Sequence, residues 1–246
     1  MKAILLVVSV VVVSTVHCER KKWDSFMLSL SWPVTFCKFN NMGHKPRNCS
    51  FHAMQWGIHG LWPSLSDGGC SPEHCNVSHP FNVEEIKSLL SELKKYWPNL
   101  LKGNLYSFWK HEWETHGRCA TEKKDLATEL QYFKKTIDLR RTYDVDRMLM
   151  SAGIKSGQSY SLSDIEQAVK TGTGGQPNVL CGTTKEDEEE AWLSQIIICM
   201  NDAFKITDCP KKKCHRELQF TGERKSLPPA DECLSKVFYP RKETRP

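Results

Sequence analysis

The chain has 246 residues, 39% hydrophobic and 26% charged, with a formal net charge of +5 at pH 7. With 14 glycines and 12 prolines, these values exclude a collagen-like chain, a disordered chain and a protein that crosses a membrane many times. A positive balance of this size suits a polyanionic partner without selecting one, and a basic run such as Lys211-Lys212-Lys213 reads first as a solvated face.

At the start of the chain, Lys2 precedes an apolar run over residues 3–13 that only Ser9 interrupts. Ser14, Thr15 and then the charged Glu19-Arg20-Lys21-Lys22 follow. This pattern predicts a secretory signal peptide over residues 1–18, too short for a membrane span, which needs about 20 apolar residues. Cleavage near Cys18 removes one of the 11 cysteines and leaves an even number. In the oxidising secretory pathway that parity argues for disulfides. Asn48-Cys49-Ser50 and Asn76-Val77-Ser78 are acceptor patterns for N-glycosylation and point the same way.

Residues 19–246 contain no repeat or long linker and are read as a single domain. Over residues 25–32, Phe26, Leu28 and Leu30 alternate with smaller or polar residues until Pro33, which predicts a strand with one buried face. Asn82 is a candidate N-cap for a helix over 83–97, where Ile86, Leu89, Leu90 and Leu93 recur at helical spacing before Pro98. Similar patterns predict helices over 105–114, 124–140 and 163–170. The β-branched Ile196-Ile197-Ile198 places a central strand over 193–200. Helices grouped between strands predict an α+β fold.

The chemistry is concentrated in two stretches. One is Trp56-Gly57-Ile58-His59-Gly60-Leu61-Trp62-Pro63. The other is Phe108-Trp109-Lys110-His111-Glu112-Trp113-Glu114-Thr115-His116-Gly117-Arg118-Cys119. On a helix, Glu112 and His116 would share one face, about 40° apart. His111 and His116 would be about 140° apart, unlike the four-residue histidine pair of a helical zinc protease, so no metal is expected. Two imidazoles and a carboxyl group suit general acid–base chemistry near neutral or mildly acidic pH. RNA cleavage makes that demand: a base for the ribose 2′-OH, an acid for the departing 5′-oxygen, and donors for the charge on phosphorus. The tryptophans and Phe108 could stack on unpaired bases, although a single aromatic is more often a core residue.

Both stretches resemble the two active-site segments of the ribonuclease T2 family. The likeness extends through Pro80-Phe81-Asn82, Tyr96-Trp97-Pro98 and Phe238-Tyr239-Pro240, and is strongest to the animal branch. It implies an α+β fold with a central, mainly antiparallel sheet flanked by helices and stabilised by disulfides. It also implies an endoribonuclease that uses no cofactor, acting on single-stranded RNA through a 2′,3′-cyclic phosphate as a monomer, outside the cell or in the lysosomal lumen. By resemblance, His116 is the first base and His59 the first acid. His111 binds phosphate, Glu112 holds the phosphate and its histidine neighbours, and Trp62 and Phe108 line base pockets. The family usually has lysine where this chain has Thr115, and threonine where it has Arg118. Thr115 brings a hydroxyl but no cation, so retained but reduced activity is expected. The resemblance further implies the pairs Cys37–Cys49, Cys75–Cys119, Cys181–Cys233 and Cys199–Cys209. It leaves Cys70 and Cys214 either as a fifth bridge or as free or intermolecular thiols. The alternative is a catalytically weakened secreted protein that keeps the fold and acts by binding RNA or a cell-surface partner.

Overall fold

The structure is a computed structural model that describes residues 23–41, 49, 55–75, 78–101, 103–182, 191–211 and 233–241. The expected signal peptide, both glycosylation sites and Cys214 lie outside the described residues. No helix among the described residues is long and apolar enough to cross a membrane.

A mixed, mainly antiparallel sheet organises the chain. Its strands are β1 (Ser25–Ser31), β2 (Gly57–Ser64), β3 (Gln158–Ser161), β4 (Asn178–Gly182), β5 (Ala191–Asn201), β6 (Ile206–Thr207) and β7 (Lys236–Tyr239). The order is β2-β1-β5-β7-β3, with β4 and β6 also paired to β5, and among the described residues only the β5–β7 pairing is parallel. β5 lies at the centre because its apolar, β-branched run can be buried on both faces: residues 193–200 are all buried. In β1, Phe26, Leu28 and Leu30 face the main core, while Met27 packs with Leu180, Ile197 and Cys199 in a smaller cluster. This is the alternation of a strand.

The helices are α1 (Pro33–Asn41), α2 (Leu90–Tyr96), α3 (Ser107–Thr115), α4 (Glu129–Thr142), α5 (Val145–Ser151) and α6 (Leu162–Thr173). Pro33 ends β1 and also opens α1, because its missing N–H has no partner to lose at the first helical position. The segment expected as one helix over 83–97 begins as a 3-10 helix over Val83–Leu89, with the Asn82 side chain accepting from Glu84 N. The helix expected from residue 124 begins at Glu129 instead. There Thr128 and Gln131 form a capping box that fixes the start, and Lys124–Leu126 remains a separate 3-10 turn.

Among the described residues, disulfides join Cys37 to Cys49, Cys75 to Cys119, Cys181 to Cys233 and Cys199 to Cys209. Cys70 is also disulfide-bonded, so it is not a free thiol. The helices fasten the edge strand β2 in place. From α4, the Arg140 guanidinium donates to Trp56 O at 3.0 Å and to Asp146 at 2.5 Å, and the Tyr132 hydroxyl donates to Leu61 O at 3.0 Å. The Trp97 indole donates to His59 O at 3.0 Å.

Candidate active site

β2 carries the first histidine on an irregularity. Ser29 pairs with Gly60 and Leu30 with Ile58, so His59 is the extra residue at a register shift against β1. Such a bulge re-aims a side chain. The ring is buried, with 7% exposure, and its Nδ1 lies 2.8 Å from Gln195 Oε1, which also accepts from Ser29 Oγ at 2.7 Å.

The second stretch forms α3 and the turn after it. His116 caps the helix, donating its N–H to Glu112 O at 3.1 Å, so it stays one turn above Glu112 although it has left the helix. Glu112 is 1% exposed. Its Oε2 accepts from the Trp62 indole at 2.9 Å, and its Oε1 lies 3.9 Å from His59 Nε2, too far for a hydrogen bond. Glycine is required at position 60. A Cβ there would lie 2.2 Å from Trp62 Nε1 and 2.3 Å from Glu112 Oε2, inside the hydrogen bond that joins them.

Trp62 is 3% exposed and lies between the two histidines, with ring centroids 5.0 Å from His59 and 5.3 Å from His116. Phe108, half-buried, lies 5.9 Å from His59, and the His111 ring is 6.2 Å from that of His116. Trp56, Trp109 and Trp113 belong to the core, which narrows the aromatics beside the histidines to Trp62 and Phe108.

Burial sets the protonation pattern. Desolvation pushes the Glu112 carboxyl up to about 8 against the opposing Trp62 bond, so this group holds its proton in mild acid. Desolvation pushes His59 down to about 4, opposed by the Gln195 bond and reinforced by His111. His116 is pushed down to about 3 by burial and by the charges of His111, His59 and His74. His111 is also lowered, first by burial and then by His74, with Glu73 and Glu114 acting the other way. His116 Nδ1 and Glu112 Oε1 are buried without hydrogen-bond partners.

Thr115 is 6% exposed, and its hydroxyl lies 3.4 Å from His111 Nδ1. Arg118 donates through Nε and Nη2 to Glu114 O at 3.1 and 2.8 Å, which caps the end of α3. His111, Glu112 and His116 each offer a ligand atom, all within 4.8 Å of one another, a proximity that helical spacing alone did not indicate. A cation there would need an ionised Glu112, which burial opposes.

Sequence reasoning missed two residues. Gln195 had a signal, as a polar side chain inside an apolar run that must find a partner when buried. His74 had none: its N–H donates to Thr115 O at 2.9 Å, and the neighbouring Cys75 is tied to Cys119, so only the folded chain brings it near His111 and His116.

A buried carboxyl beside two unprotonated imidazoles on an α+β scaffold defines a general acid–base site built to move protons. The comparisons supply the family. The Ribonuclease T2 family model matches residues 23–209. Ribonuclease Oy of Magallana gigas is 37% identical over 198 residues, covering 78% of this chain and 90% of that protein. Ribonuclease T2 of Sus scrofa is 37% identical over 194 residues, covering 77% and 90%. The crystal structure of human RNase T2 superposes with a TM-score of 0.69 at 32% identity, covering 89% of this chain and 98% of that one. The chain belongs to the ribonuclease T2 family and is a T2-type endoribonuclease.

Proposed function

We propose that the protein cleaves single-stranded RNA without a metal, with His116 as first base and His59 as first acid. In the first step His116 takes the 2′-OH proton as the 2′-oxygen bonds to phosphorus. The P–O5′ bond breaks and His59 protonates the departing 5′-oxygen, leaving a 2′,3′-cyclic phosphate. In hydrolysis the roles exchange: the water oxygen bonds to phosphorus as His59 takes its proton, the P–O2′ bond breaks, and His116 protonates the departing 2′-oxygen, leaving a 3′-phosphate.

The observation that carries this reading is the unequal surroundings of the two rings. His116 is pushed down first by burial and then by three other imidazoles, which keeps it unprotonated and able to accept a proton. His59 is also pushed down by burial, but Gln195 favours its protonated form and one imidazole, His111, adds to the lowering. An RNA phosphate entering between them adds negative charge, which favours the protonated His59 that the acid role needs. His111 and the protonated Glu112 would donate to the phosphoryl oxygens. Phe108, with surface to spare, would stack on a base. Thr115 supplies no cation, which suits a reduced rate. Disulfides and the N-terminal pattern support export to the extracellular space or lysosomal lumen, and the acceptor patterns at Asn48 and Asn76 support N-glycosylation.

The test is cleavage of single-stranded RNA from about pH 4 to 8, with EDTA present and a His116→Ala control. Products with 2′,3′-cyclic phosphate ends that vanish in the control are expected. A folded, disulfide-intact protein that leaves RNA intact would refute the catalytic reading and move attention to the binding-only alternative.

A further inference from the structure

Gln195 is fully buried in β5, and its partners His59 and Ser29 come from β2 and β1, so three adjacent strands meet at one oxygen. Ser29 Oγ donates to that oxygen and holds it toward the ring. An acceptor facing Nδ1 selects the imidazole tautomer with its proton on Nδ1, leaving the Nε2 lone pair toward Glu112.

The carboxamide spends its oxygen on both bonds, and its Nε2 is buried without a partner. A glutamate would accept the same two bonds and leave no unpaired donor, so the fit alone does not explain an amide here. What the amide provides is the absence of charge. A carboxylate at this distance would favour the imidazolium and raise the His59 pKa by about one to three units, making it a weaker acid. Among the described residues, Glu112 and His111 on α3 and His116 just after it also face or act on His59.

We propose that Gln195, steadied by Ser29, is a positioning residue for the reaction: it fixes the Nδ1–H form of His59 and, being uncharged, leaves the Nε2 proton free to pass to the 5′-oxygen. This rests on the acid role given to His59 above.

The test compares wild type, Gln195→Glu and Gln195→Met by imidazole 15N NMR and by pH profiles on a single-stranded RNA oligonucleotide. Neutral His59 in the wild type should carry its proton on Nδ1. Gln195→Glu should move the alkaline limb of kcat/KM upward by about one unit or more. Gln195→Met should lower kcat about tenfold or more with KM unchanged. Wild-type His59 protonated on Nε2 would overturn the proposal. So would variants that melt at lower temperature yet keep the wild-type limbs and tautomer, the mark of a purely structural residue. If the wild type fails to cleave RNA, the catalytic reading fails, and the NMR measurement still decides whether Gln195 sets the tautomer.

Discussion

Replacing Glu112 with glutamine exposes how strongly the fold holds that proton. The side chain is 1% exposed, and its carboxyl is raised from 4.5 to about 8, chiefly by desolvation. Between those values the folded protein keeps a proton that the unfolded chain releases, so stability falls as pH rises. The slope is about 1.4 kcal/mol per pH unit for this group, or about 3 kcal/mol from pH 5 to 7. His59 and His116 act in the opposite sense, because their folded pKa values are depressed and stability rises with pH up to about 6.5. Their contribution is common to both proteins and cancels in the comparison. Glutamine keeps the shape and can accept the Trp62 bond, but it does not titrate. Urea denaturation at these pH values, with disulfides intact, should show Glu112→Gln close to wild type at pH 5 and more stable than wild type by about 3 kcal/mol at pH 7. Parallel stability profiles for the two proteins would refute a protonated, desolvated Glu112.

Three further perturbations separate rate from scaffold. Replacing Cys75 and Cys119 with serine opens a 44-residue loop and should cost about 4 kcal/mol in denaturant unfolding. Its effect on cleavage should exceed that of removing the 10-residue Cys199–Cys209 loop, because the former borders His74 and His116. Thr115→Lys should raise kcat by about tenfold or more, the reverse of the loss on removing a transition-state donor; an unchanged kcat in folded protein would show that the charge is already supplied. His74→Ala removes a charge that depresses both His111 and His116, so their pKa values rise. The acid limb of kcat/KM, which requires neutral His116, should then move to higher pH, and an unmoved limb would remove His74 from the site.

Local preference determined the elements whose pattern is self-contained. The alternation of Phe26, Leu28 and Leu30 marked β1, and the β-branched run marked β5, because each strand's own side chains state which face is buried. The residue types at His59, Glu112 and His116 announced acid–base chemistry for the same reason: few other side chains titrate in that range. β2 was not legible, since Gly57, Gly60 and Pro63 break any alternation and its strand conformation comes from pairing with β1. The approach of His111 to His116 was equally hidden, because it depends on the turn that follows α3. Gln195 is 136 residues from His59 along the chain, and His74 reaches the site through the Cys75–Cys119 bridge. The tertiary structure alone decided the protonation pattern. A pKa shift measures how much water a group loses and which charges surround it, and both depend on residues that the fold, not the chain order, brings together.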